Sequence, residues 1–242
     1  MLQKTRGVVL HSLKYGENGL ITTIYTEAFG RMSFIMQGIH GKKSAVKANL
    51  LSQLSLLEME VDFKQGRDLQ RVREIKNDSP FCTLPYEIPK STQALFLAEM
   101  LNKVLREEES RPELFAFLYH SIQFLYLMET GIANFHLLFL LQLSRYLGFA
   151  PTRNYSAGNL IFFDMIAGKY VGLPPDHQWF LKESESSVLS KLLEMNYQNS
   201  SEFKADYSLR NILLTFILDY FGLHIGSKLN IKSLEVLKLI LH

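Results

Sequence analysis

The chain has 242 residues, a formal net charge of +2 and 47% hydrophobic residues, enough apolar material for one large core or two modest ones. Its single cysteine, Cys82, excludes an intramolecular disulfide framework and a cysteine-cluster zinc site, and fits a reducing compartment. The opening MLQKTRGVVLHSLK breaks its short apolar run at His11 and has no small-residue cleavage site. The longest later apolar runs, 114–128 and 135–143, fall short of the ~20 residues that span a bilayer, so a cytoplasmic protein without a membrane partner is expected.

Residues 1–80 carry period-2 patterns. A first strand is predicted over 7–15, a turn at 16–19, a β-branched second strand over 20–26 and a turn at 28–30. In the third strand, 31–37, Met32, Phe34 and Met36 alternate with Ser33, Ile35 and Gln37. Gly38 and Gly41 then free the backbone to turn, and 46–51 has room for one or two helical turns. Leu57, Met59, Val61 and Phe63 alternate with Glu58, Glu60 and Asp62, the pattern of a half-buried strand, and a turn at 65–67 leads to a fifth strand over 69–76. Five short strands in so few residues predict a small barrel, and the OB-fold is the common barrel of that size with a nucleic-acid role.

Pro80, Pro85 and Pro89 mark 80–89 as a linker, beyond which the period becomes helical. Ser91 is the predicted cap of a helix with Ala94, Leu97, Leu101, Val104 and Leu105 on one face, running to the charged end at 106–109. Ser110 and Pro112 open a second helix to about 129, stopped by Gly131. Asn134 caps a third that reaches 147 and stops at Gly148. Both are apolar almost all round and should form the centre of a helical bundle. Residues 148–182 predict a loop with a small hairpin from LIFFD and KYVG, and helices over 186–195, 208–221 and 233–241 follow. The expected class is α+β: a five-stranded OB-fold barrel over 1–80, then an α-helical domain over 81–242 with an irregular insertion at about 148–182.

Charge is unevenly spread. Residues 1–80 hold twelve Lys and Arg against eight Asp and Glu, and the remainder fourteen against sixteen. The stretch GRMSFIMQGIHGKKSAVK joins the third strand to a glycine-hinged loop carrying Lys42, Lys43 and Lys47. No acidic residue lies between Arg31 and Glu58, so this positive field is not cancelled nearby in sequence, and a nucleic-acid backbone is the first partner to consider. Arg71 and Arg73, two apart on a strand, share a face. With Arg31 and Arg67 they complete a candidate DNA-binding set of Arg31, Lys42, Lys43, Lys47, Arg67, Arg71 and Arg73. If about four of these contact one single strand, log K should fall with log salt at a slope of roughly −3.

No catalytic signature for acyl transfer, nucleotide hydrolysis, zinc proteolysis or dinucleotide binding occurs. Glu58, Glu60 and Asp62 share one strand face and could in principle hold a nuclease metal, although a solvated outer face needs the same alternation. His120, His136 and His224 lie in apolar helical surroundings, where a hydrogen-bonded core or boundary role is favoured over catalysis. Tyr25, Phe34 and Phe63 are the barrel aromatics that could stack bases, with core packing the favoured reading for each.

The segment RGVVLHSLKYGENGLITTIYTEAFGRMSFIMQGIHGKKS resembles the N-terminal OB-fold of the RecO recombination-mediator family. HLLFLLQLSRYLGFAP resembles that family's helix ending in LG-x-x-P, and LDYFGLHIG followed by IKSLEVL resembles its C-terminal Tyr, His and Ser-Leu-x-Val-Leu segment. The likeness covers nearly the whole chain. One departure stands out: many RecO-like proteins carry paired zinc cysteines after the LG-x-x-P segment, and 154–172 contains none here. The resemblance therefore implies a zinc-less variant whose hairpin is held by packing, with no cofactor and no catalysis. It implies binding of single- and double-stranded DNA, annealing of complementary strands and location at the nucleoid. It also implies contact with the acidic, aromatic-ended tail of single-strand binding protein, and a complex with RecR that helps load RecA. A groove for that tail would need cations, for which Arg145, Arg153 and Arg210 are candidates, with ordinary surface arginines the competing reading. The alternatives are a metal-dependent nuclease using Glu58, Glu60 and Asp62, and a scaffold that binds only proteins.

Overall fold

Period-2 alternation closes the first five strands into a barrel in the computed structural model, which describes residues 2–17, 19–37, 50–78, 87–106 and 108–241. The strands are β1 (Leu2–Tyr15), β2 (Gly19–Thr26), β3 (Gly30–Gln37), β4 (Leu56–Asp62) and β5 (Leu69–Asn77), in the closed order β1-β2-β3-β5-β4. Pairing is antiparallel except between β3 and β5, the arrangement of an OB-fold barrel. β1 is long because it serves two neighbours: Leu2–Val8 pair with β4 and Gly7–Tyr15 with β2, with an irregularity between Val9 and His11 where the strand bends. Val9, Ile24, Phe34, Leu57, Met59 and Val61 fill the interior, with Met32 and Met36 packed against them. The expected inward set of β3 is therefore the observed one. The predicted turns over 46–51 lie mostly outside the described residues.

The outer barrel face at Val8, Tyr25 and Leu56 is apolar yet buried, so it needs a cover. Helices α1 (Ile88–Val104) and α2 (Pro112–Leu127) form one compact unit with the barrel, Met1–Leu127, and α1 lies against β1. Polar pins complete the docking. The Tyr126 hydroxyl donates to the Leu54 carbonyl at 2.6 Å, and Ser110 Oγ to the Glu27 carbonyl at 2.7 Å. Arg6 grips Glu27 through two hydrogen bonds of 2.9 and 2.6 Å and stacks over Tyr119 at 4.7 Å, while the Tyr119 hydroxyl donates to Asp78 at 2.8 Å. The Glu27 hydrogen bonds raise the Arg6 pKa further above its ordinary range.

Helix α1 begins before the predicted Ser91 cap. Glu87 flanks it and Pro89 sits in its first turn, where a fixed φ suits the helix and the missing N–H is not needed. It ends at Val104 rather than in the charged run, whose residues lack an apolar face to bury. Lys90, buried there, pairs with Glu87 at 3.0 Å and donates to the Tyr126 carbonyl.

The second compact unit, Met128–His242, is built on α3 (Phe135–Tyr146), where Leu137, Leu138, Phe139, Leu140 and Leu143 are all buried. It packs against α4 (Glu183–Leu193) and α5 (Tyr207–Ile225), and α6 (Leu234–Ile240) follows. Asn134 does not cap α3 with its side chain. It donates instead to the carbonyls of Ser200 and Phe203, tying down a distant turn. The predicted hairpin exists as β6 (Phe162–Asp164) and β7 (Lys169–Val171), and a short third strand missed in the sequence, β8 (Phe180–Leu181), pairs with β6. Phe163 stacks edge-on with Tyr170, Phe216 and Tyr220 at 4.9, 5.6 and 5.9 Å. Asn154 exchanges two hydrogen bonds with the Tyr170 backbone, and Ser186 Oγ bridges Phe163 to Leu181. This insertion is thus held by an aromatic cluster and side-chain clamps.

Candidate nucleic-acid interface

Closure of the barrel through parallel β3 and β5 decides what stands beside Arg71. The register is Ser33 with Leu69, Phe34 with Gln70 and Ile35 with Arg71. Phe34 and Gln70 point inward and are buried, so Ile35 and Arg71 point outward. The β4–β5 register shifts between Glu60 and Val61, leaving Arg73 without an opposite residue. Both Arg71 and Arg73 are exposed, and Arg67 is exposed in the turn before β5. No ion pair among the described residues engages these three arginines. They form a cationic border able to neutralise phosphates.

Gln70, which the sequence reading passed over, sets that turn. Buried beside Phe34, it accepts from the Lys64 amide at 3.0 Å and donates to the Lys64 and Arg67 carbonyls at 2.8 Å each. All three bonds hold the backbone that carries Arg67. Its signal was a polar residue at an inward position of an alternating strand.

Two outer barrel surfaces differ in chemistry. On β4, Glu58 pairs with Lys76 at 2.9 Å, Glu60 stands between Lys4 and Glu74, and Asp62 is opposite Arg71. Cations are interleaved with these carboxylates. Among the described residues, no three His, Cys, Asp or Glu side chains gather as a metal-holding group. On β1, β2 and β3, by contrast, Leu13 pairs with Ile21 and Ile21 with Ile35, one row that ends at Arg71. Thr23, Ser33 and Gln37 are the other outward residues there, and Tyr15 stands two places beyond Leu13. Leu13 and Tyr15 are 56% and 54% exposed. The three aromatics singled out in the sequence are elsewhere: Tyr25 and Phe34 are buried, and Phe63 stacks on Phe29 at 4.5 Å.

Arg31 is drawn off this surface. Its guanidinium donates to the Asn102 carbonyl at 2.5 Å, the Leu105 carbonyl at 2.6 Å and Asn102 Oδ1 at 3.0 Å, closing the C-terminal end of α1. Burial lowers its pKa from the ordinary arginine range, Glu108 opposing that shift and Arg106 adding to it. Arg31 is a helix clamp whose donors are occupied, and it leaves the phosphate-binding set. Lys42, Lys43 and Lys47 lie outside the described residues.

In the second unit, Arg145 and Arg153 are exposed at the end of α3 and in the following loop. Arg210 is half-buried and donates to the Ala205 and Leu241 carbonyls, so it ties the start of α5 to the chain end rather than presenting its donors outward. Beside it, burial and the Arg210 charge push the His136 pKa down to about 3, which keeps that imidazole neutral. His224 stacks on Phe149 at 5.1 Å and contacts the Met165 carbonyl at 2.9 Å, a structural role. His120 is exposed beside Gln123. No described helix is long and apolar enough to cross a membrane.

Comparison with known proteins agrees along the whole chain. Residues 1–81 match the family model described as recombination protein O N terminal, and residues 85–235 the one described as recombination protein O C terminal. The family boundary thus falls near 81–85, whereas the compact units divide after Leu127. The chain is 44% identical to the DNA repair protein RecO of Phocaeicola vulgatus, over 98% of each chain. It is 41% identical to that of Bacteroides fragilis and 30% identical to that of Porphyromonas gingivalis, again over 98% of each.

Proposed function

The chain belongs to the RecO family of DNA repair proteins, and from that premise we propose that it is a recombination mediator that binds DNA without reading its sequence. The observation that carries this reading is the border of Arg67, Arg71 and Arg73 beside an outer barrel face with no other available charge. Lys42, Lys43 and Lys47, which follow β3 in sequence, extend the proposed set. Such cations release counterions from phosphates whatever the bases, so single- and double-stranded DNA are both substrates. Holding two complementary strands on cationic surfaces lowers their mutual repulsion, and annealing follows.

In this reading the protein engages the acidic tail of single-strand binding protein, with Arg145 and Arg153 as the exposed cations of the second unit, and acts with RecR in loading RecA at the nucleoid. Chemistry is left to the partners. The carboxylates of β4, interleaved with Lys4, Lys76 and Arg71, support an outer strand face more than a nuclease centre.

The test is strand annealing on DNA covered by single-strand binding protein, intact or tail-deleted. Annealing should depend on the tail, and binding should weaken with salt at a slope that falls when Arg67, Arg71 and Arg73 become alanine. A flat salt response would refute DNA binding through cations. Equal annealing on both forms would remove the tail contact, and magnesium-dependent cleavage by purified protein would restore the nuclease reading.

A further inference from the structure

The outer barrel face contrasts a charged side with an uncharged one. On β4 and β5 the outward positions carry Glu58, Glu60, Asp62, Arg71, Arg73, Glu74 and Lys76, as a solvated strand face should. Across β1, β2 and β3 the outward row is Leu13, Ile21 and Ile35, with Thr23, Ser33 and Gln37 around it. Solvation alone does not select three large aliphatic residues in register. Nor does burial by the helices, since Leu13 and Tyr15 remain more than half exposed. Tyr15 is opposite Gly19, which has no side chain to cover the ring from β2. The row ends at Arg71, so apolar surface and cation meet at one edge.

Unpaired nucleotides have this same division, with flat apolar faces on one side and a line of anionic phosphates on the other. Duplex DNA does not, because its base faces are stacked away and only phosphates and groove edges are presented. Resting on the DNA-binding reading above, we infer that Tyr15, Leu13, Ile21 and Ile35 form a platform for unpaired bases, with Arg71 and Arg73 on the accompanying phosphates. The platform makes this face selective for single strands, whereas the arginines alone do not discriminate. Base contacts also explain how a bound strand is released during annealing. A base that pairs with its complement leaves the platform, and stacking within the growing duplex replaces stacking on Tyr15.

The inference is tested by affinity against salt for an oligothymidylate and for a duplex of the same length, using the full chain and its Tyr15→Ala, Leu13→Ser and Tyr15→Phe variants. Tyr15→Ala should weaken single-strand binding roughly 5- to 150-fold, the range for losing one stacked base, at an unchanged salt slope. Duplex affinity should stay within about twofold, and Tyr15→Phe should retain single-strand binding, since the ring and not the hydroxyl makes the contact. Trp179 is the sole tryptophan, so Tyr15→Trp in a Trp179→Phe background gives a local reporter. Its fluorescence should be quenched by oligothymidylate and not by duplex. Unchanged single-strand affinity in Tyr15→Ala, or equal quenching by both ligands, would overturn the platform. If the arginine variants still lowered the salt slope, the DNA-binding reading would survive that result. Absence of any DNA binding by the unaltered chain would overturn both.

Discussion

Replacing Arg31 with alanine separates the two tasks that the basic residues of the barrel perform. Arg31 makes three hydrogen bonds, two of them to carbonyls at the C-terminal end of α1. Net hydrogen bonds from a charged donor are worth about 1.5–3 kcal/mol each, and a cation at a helix C-terminus adds roughly 0.3–1 kcal/mol. The three share one half-buried guanidinium, and water can reach part of the vacated site, so a total loss of about 2–4 kcal/mol is expected. At roughly 2–4 °C per kcal/mol for a chain of this size, the thermal midpoint should fall by about 4–16 °C. Arg71→Ala should do the opposite: leave the midpoint unchanged and reduce the single-strand salt slope by about 0.7, the value for one lost phosphate contact. The assay pairs thermal melts with oligonucleotide binding across a salt series, run well below the lowest midpoint. If Arg31→Ala melted like the unaltered chain while its salt slope dropped by about 0.7, the clamp assignment would be refuted and Arg31 would return to the phosphate-binding set.

Other consequences follow from single positions. Gly30 has φ +67° and its missing side chain faces the Glu109 backbone, so Gly30→Ala should cost more than about 2 kcal/mol from left-handed strain plus collision and lower the denaturant midpoint. Gln70→Leu leaves the Lys64 and Arg67 carbonyls and the Lys64 amide without their side-chain partner, and should cost about 2–3 kcal/mol and speed amide exchange in that turn. His136 titrates at 6.5 when unfolded and near about 3 when folded, so its contribution is complete above pH ~6.5 and is lost as pH falls from there toward 3. At pH 5 that loss amounts to about 2 kcal/mol, and the stability of His136→Gln should fall less steeply between pH 7 and 5 if the buried neutral imidazole is the cause.

Much of the barrel was legible because strand alternation is local information. Leu57, Met59 and Val61 against Glu58, Glu60 and Asp62 identify an inner and an outer face without any knowledge of partners, and β3 behaves the same way. Helix starts were less legible. Pro89 reads as linker composition and yet suits a first helical turn, and Asn134 has cap chemistry but finds better acceptors in a turn some 66 residues away. The absence of zinc cysteines from 154–172 was plain in the sequence, whereas the Phe163, Tyr170 and Tyr220 cluster in their place required three segments to meet.

The sequence by itself determined the family, the two kinds of secondary structure, the inward residues of the barrel and the presence of surplus positive charge near its third strand. Tertiary structure alone decided which charges are usable. Closing β5 against β3 aligned Arg71 with Ile35 and made one row of Leu13, Ile21 and Ile35, while the docking of α1 took Arg31 away to the carbonyls of Asn102 and Leu105. The physical reason is range. Whether a side chain faces in or out depends on its immediate neighbours along the strand, but whether a guanidinium meets phosphate or a helix end depends on partners about 70 residues away, which only folding brings within reach.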